Sequence, residues 1–143
     1  MKEEKLNIDE TTLSVDLSEA TEAVKEARFA DASNLLSIVL KDHPENIDVL
    51  YLAAVSARYL KKYDDSKKYI EELLMNAPDM GRAYQELGHL NRDMGDEEKA
   101  VVHYRQACEL NPALTASWNF LYQYFVKNEN KPAADHALEQ INK

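Results

Sequence analysis

One cysteine, three glycines and four prolines in 143 residues exclude several classes of protein at the outset. Cys108 has no second cysteine to pair with, so no intrachain disulfide can form and nothing indicates an oxidising compartment. It also lacks a cysteine or histidine partner at ligand spacing. His43, His89, His103 and His136 form no His-Glu-x-x-His pair, so no metal site is indicated. Gly81, Gly88 and Gly95 are too dispersed to build a phosphate-cradling loop. No apolar run approaches the roughly 20 residues that span a bilayer. The opening stretch "MKEEKLNIDETT" lacks the apolar centre of a signal peptide. A soluble, cytoplasmic protein with no membrane role is the resulting expectation.

Positive charge is also short. The formal net charge is −9, and residues 1–31 hold nine acids against four bases. Phosphate backbones repel such a chain unless a local basic stripe exists, so no nucleic-acid partner is expected. With proline and glycine scarce and Ala, Leu, Glu and Lys plentiful, helix is favoured throughout.

What the sequence does have is a period. Pro44, Pro78 and Pro112 stand 34 residues apart, and sliding the chain by 34 aligns much more than prolines. Ala20, Ala54 and Gly88 fall in one small column; Ala32, Ser66, Ala100 and Ala134 fall in another. Leu36, Ile70, Tyr104 and Leu138 share a large apolar column, and Leu50, Tyr84 and Trp118 share a second. Small residues suit places where antiparallel helices approach closely, and large ones fill the space beside them. Within a unit the spacing is helical, as in Leu50, Ala53, Ala54 and Ala57. Polar turn signals such as "DMGDEE" and "NPALT" separate the runs, and each inter-unit proline stops the helix before it. The pattern predicts helices over about 14–26, 29–41, 47–60, 63–76, 81–93, 97–110, 115–127 and 131–142. Residues 1–12 are expected to be a flexible segment, followed by one domain of units at about 13–46, 47–80, 81–114 and 115–143.

The columns resemble the tetratricopeptide repeat, a helix–turn–helix unit of 34 residues. The third unit fits best, with Tyr84, Leu87, Gly88, Ala100, Tyr104, Ala107 and Pro112 in the family's characteristic places. In the fourth unit Trp118, Leu121, Phe125 and Ala134 fit, but Tyr122 stands where a small residue belongs. The first unit places Asp16 and Glu19 at normally apolar positions. A stripe of Leu13, Leu17, Ala20, Val24 and Ala27 offers another face for docking. The resemblance implies an all-α fold, a right-handed α-solenoid of about four stacked repeats, whose first helices line a concave face.

It also implies a non-catalytic scaffold that binds a protein or peptide, without cofactor. The acidic pairs Asp64-Asp65 and Glu97-Glu98 open second helices, where the helix dipole favours them, rather than forming a catalytic pair. Residues flanking the apolar stripe of each first helix are candidates for partner contact: Tyr51, Arg58, Tyr59, Arg82, Gln85, His89, Arg92, Asn119, Phe120 and Gln123. Arginine with aromatics suits recognition of a partner bearing acidic groups. The competing reading is an ordinary solvated helix face. Some members of the family clamp a C-terminal carboxylate with Lys, Asn and Arg side chains. Here those places hold Leu17, Thr21, Leu52, Arg82 and Glu86, or one unit later Tyr51, Val55, Glu86, Ala116 and Phe120, so that clamp is not expected.

The run from Trp118 to Phe125 is apolar on several faces. Such a helix is buried on several faces or abuts something else. Tyr122, Tyr124, Leu138 and Ile141 are therefore candidates for a terminal contact surface, including a homodimer through the C-terminal end; the alternative is an array that simply ends there. A different functional class also fits the resemblance: the N-terminal regulatory or substrate-presenting array of a longer bacterial enzyme, such as a sulfotransferase or glycosyltransferase.

Overall fold

The computed structural model describes residues 2–143, with side chains from Leu13 onward. Among the described residues every regular element is a helix. Helices α1 (Lys2–Lys25), α2 (Phe29–Asp42), α3 (Ile47–Tyr59) and α4 (Tyr63–Asn76) belong to one compact unit, Met1–Asn76. Helices α5 (Gly81–Asp93), α6 (Glu97–Leu110), α7 (Thr115–Lys127) and α8 (Lys131–Ile141) belong to a second, Ala77–Lys143. Each unit is a pair of helix hairpins, stacked through α2 on α3 and through α6 on α7. This is the all-α architecture of a helical-repeat solenoid.

From α2 to α8 every boundary lies within one residue of its expected place. The difference is α1, which extends N-terminally to Lys2 with neither proline nor glycine to end it. The expectation of a flexible segment over residues 1–12 falls on residues whose side chains lie outside the described set.

The repeat period recurs in the backbone. Ala27, Lys61, Gly95 and Glu129, each 34 residues from the next, hold left-handed φ angles of 60°, 62°, 83° and 57°. Immediately after each, a backbone N–H reaches back five residues: Arg28 to Ala23 at 2.7 Å, Lys62 to Ala57 at 2.8 Å, Asp96 to Asn91 at 2.8 Å and Asn130 to Phe125 at 2.9 Å. These bonds satisfy carbonyls that a helix end leaves open, and the left-handed residue makes them geometrically possible. The next helix is capped where the sequence supplies an acceptor. Asp96 accepts from the Lys99 N–H at 3.1 Å, and Asn130 from the Ala133 N–H at 3.3 Å.

In the first unit Ala20, Ala23, Ala32, Leu36, Val39, Val49 and Ala53 form the core, with Leu13, Leu17 and Val24 packed against it. Helix α1 therefore docks through its alternative stripe, leaving Asp16 half-buried and Glu19 exposed. Ala27 is the exception: it is exposed and ends the helix instead of joining the stripe. Ser66, in a small column, is buried and donates its hydroxyl to the Ala54 carbonyl at 2.9 Å, which removes the cost of burying it. In the second unit Ala100, Val101, Tyr104, Cys108, Leu121, Phe125 and Ala134 form the core. Trp118, Phe120, Tyr122 and Tyr124 all pack against that cluster. Full burial of side chains such as Leu36, Leu50 and Leu121 stabilises the fold by roughly 1.5–3 kcal/mol each.

Candidate partner-binding site

In the first unit the predicted residues lie on α3. Tyr51 is half-buried and Tyr59 is 54% exposed. Arg58, expected on the open face, is only 5% exposed. Its guanidinium carbon sits 4.5 Å from the centre of the Tyr59 ring, which in turn stacks on Phe29 at 4.2 Å and 3° between planes. Cation, phenol and phenyl thus form one ladder that ties the end of α3 to the start of α2. Of the three side chains Tyr59 is the most open to solvent.

In the second unit the residues lie on α5 and α7. Arg82 and Arg92 are exposed, as are Asn119 and Gln123. Arg92 pairs with its neighbour Asp93 at 3.1 Å, both partly open to water. Gln85 is committed to structure: its Oε1 accepts from the Ser117 hydroxyl at 2.7 Å and from the Ser117 N–H at 3.2 Å. This joins α5 to the first turn of α7. Glu86, beside these residues on α5, is 3% exposed.

His89 and Phe120, both half-buried, are brought together by a residue absent from the predicted site. Tyr104 of α6 passes between the two first helices, with its hydroxyl 2.5 Å from His89 Nδ1 and its ring 4.4 Å from Phe120. His89 meets the Tyr104 ring edge-on at 5.3 Å. Sequence columns mark Tyr104 only as a large core residue. The signal that could have placed it is Gly88, the smallest residue of its column, opposite the only aromatic of the neighbouring one. Tyr104, itself fully buried, thus lies between half-buried His89 and Phe120, while Arg82 and Arg92 on α5 and Asn119 and Gln123 on α7 are exposed.

Two further titratable side chains, His103 and Cys108, are engaged within the second unit. His103 Nδ1 donates to Asn91 Oδ1 at 2.6 Å, and burial, then nearby Lys99, holds its pKa below the usual imidazole range. The Cys108 thiol is pushed up to about 12 by burial first; Ser117 opposes the shift and Glu109 adds to it. His43 closes α2 through its backbone N–H, which donates to the Val39 carbonyl at 2.9 Å. Among the described residues no three His, Cys, Asp or Glu side chains cluster as metal ligands would. No helix among them is long and apolar enough to cross a membrane.

At the other candidate surface, Leu138 is 39% exposed, while Tyr122, Tyr124 and Ile141 are half-buried. Tyr122 walls a shallow hollow of about 320 Å3 with Phe125, Val126 and Ala134. Tyr124 meets Phe125 edge-on at 5.6 Å.

The fold has many solved counterparts. A crystal structure of MamA superposes over 98% of this chain and 80% of its own, with 15% identity and a TM-score of 0.72. MamA from Desulfovibrio magneticus RS-1 matches over 91% and 74% respectively, with 21% identity and a TM-score of 0.74. An O-GlcNAc transferase from Thermobaculum terrenum matches 82% of this chain at 21% identity and a TM-score of 0.76, but over only 22% of the transferase. No curated protein matches in sequence. Residues 47–80 and 81–114 each match the model of the tetratricopeptide repeat, in the register that the 34-residue columns define. Residues 47–114 are therefore two tetratricopeptide repeats, and left-handed turns recur with the same 34-residue period on either side of them.

Proposed function

We propose that this chain is a non-catalytic interaction scaffold that holds a protein or peptide partner against its first helices. The observation that carries the reading is the α5–α7 face. Exposed Arg82, Arg92, Asn119 and Gln123 stand beside half-buried His89 and Phe120, in a chain whose net charge is −9. Locally basic, aromatic surface on an acidic protein selects partners with acidic groups and repels others. In the first unit Tyr51 and Tyr59 supply flat contact area of the same kind.

Peptides selected from a random library on the immobilised protein should be enriched in Asp and Glu. Replacing Arg82→Glu and Arg92→Glu together should weaken those peptides about tenfold or more, and added salt should weaken the unaltered protein in the same direction. Unchanged affinity in the folded double variant would remove this reading.

A second reading rests on the similarity to part of a glycosyl-transferring enzyme. The repeats then serve as a regulatory or substrate-presenting array ahead of a catalytic domain, and the reading frame beyond Lys143 decides it. The α7–α8 face is also proposed as a self-association surface. Tyr124→Lys with Ile141→Lys should lower the solution mass at high concentration if two copies meet there.

A further inference from the structure

Of the four histidines only His89 stands among the candidate residues of the α5–α7 face. His43 ends α2, His103 bonds Asn91, and His136 meets Trp118 edge-on. Two turns of α5 separate Arg82 from His89, so both leave the helix on one side, about 10 Å apart along its axis. Arg92 follows one turn later. Along α5 a titratable ring therefore stands between two exposed guanidinium groups.

What anchors the imidazole suits either of its charge states. Its Nδ1 lies 2.5 Å from the hydroxyl of Tyr104, a fully buried side chain whose ring lies against Gly88. A hydroxyl can donate or accept. It donates to the Nδ1 of a neutral ring and accepts from the Nδ1–H of a protonated one. The anchor persists while the charge changes, and half-buried His89 keeps its place. On α5, Glu86 lies one turn before it and is 3% exposed. One turn after it come Arg92 and Asp93, which pair with each other at 3.1 Å. From α6 the titratable group against it is the Tyr104 hydroxyl, and the Tyr104 ring also meets uncharged Phe120 of α7.

We propose that His89 makes this face pH-sensitive: its protonation adds a positive charge beside Arg82 and Arg92 and tightens the hold on an acidic partner. This regulation rests on α5–α7 being a partner-binding face. An ordinary imidazole takes up its proton near about pH 6.5, where aspartate is still ionised. A carboxylate set against the ring favours the charged form, so the complex keeps the proton to higher pH than the free protein. The gain in affinity is complete below the pKa of the free protein. It is lost as pH rises through the higher pKa of the complex. Each unit between the two is about tenfold in affinity.

A suitable probe is N-acetyl-hexa-aspartate amide, whose carboxylates stay ionised above about pH 5. At low salt the full chain should bind it at least about threefold more tightly at about pH 5.5 than at about pH 8. His89→Gln keeps an amide for the Tyr104 hydroxyl but cannot take up a proton. It should bind the peptide as the unaltered protein does at high pH, and equally across the range. If that variant folds poorly, the imidazole C–H signals of the unaltered protein decide. The His89 midpoint should move to higher pH on adding peptide, while those of His43, His103 and His136 stay in place. A pH-independent affinity, the same pH response in folded His89→Gln, or an unmoved His89 midpoint would overturn the proposal and leave the partner-binding face standing. Absence of hexa-aspartate binding at any pH would remove both.

Discussion

Tyr104 lies across Gly88 so closely that a Cβ at position 88 would stand 2.7–2.9 Å from three of its ring carbons. The two positions share one volume. Elsewhere the same pair of columns holds Ala20 with Leu36 and Ala54 with Ile70, a slightly larger residue facing a smaller one. In the last hairpin the order is inverted, with Tyr122 on the first helix and Leu138 on the second.

Gly88→Ala should therefore destabilise the protein, although alanine is the better helix former by about 1 kcal/mol. Overpacking of a fixed ring costs about 1–3 kcal/mol and outweighs that gain. Pairing it with Tyr104→Leu, the arrangement of the first hairpin, should recover part of the loss. A double-mutant cycle from urea unfolding measures the coupling. Strict additivity would show that the ring simply moves aside.

The left-handed turn residues lead to a second expectation. Gly95→Ala should cost about 1–2 kcal/mol, because a Cβ there strains a backbone with φ of 83° while nothing lies within 4 Å for it to pack against. Lys61→Gly and Glu129→Gly should each stabilise by less than about 1 kcal/mol, since relief of strain is partly offset by the freedom of glycine in the unfolded chain. Thermal midpoints of the four proteins test the order. A destabilising Lys61→Gly would mean that the lysine side chain contributes more than its backbone costs.

Buried Cys108 makes stability sensitive to alkali. Its folded pKa, about 12, lies above the ordinary value of 9.0, so the fold favours the neutral thiol. Above about pH 9 the unfolded chain loses this proton while the native one keeps it. The thiol's contribution is thus fully present below pH 9 and is lost as pH rises toward 12. Tyr69 acts in the same direction, raised by burial and by Asp65 and Glu72. Cys108→Ala should flatten part of the alkaline decline seen in unfolding curves between pH 8 and pH 10. In the native protein, Ellman's reagent should react with Cys108 far more slowly than after denaturation. Equal rates would contradict the burial.

Much of the architecture was legible in residues alone, for a physical reason. Helix ends are local events. A proline, a polar turn or a change in apolar phase acts within a few residues, so α2 to α8 emerge in place from the pattern. The period of 34 carries further information, because each small column records a distance between two backbones.

Side-chain destinations depend on volume, and volume is shared between residues far apart in the chain. Arg58 has the spacing of an open-face residue, yet the stack of Phe29 and Tyr59 draws it inward. Gln85 reads as a recognition amide but is engaged by Ser117, 32 residues away. His89 and Phe120 both meet Tyr104, which packs over the gap at Gly88. The period and composition of this chain determine that it forms helix pairs and where the helices from α2 onward begin and end. Tertiary packing decides which polar groups remain for a partner, because burial and hydrogen bonding depend on neighbours that local sequence does not contain.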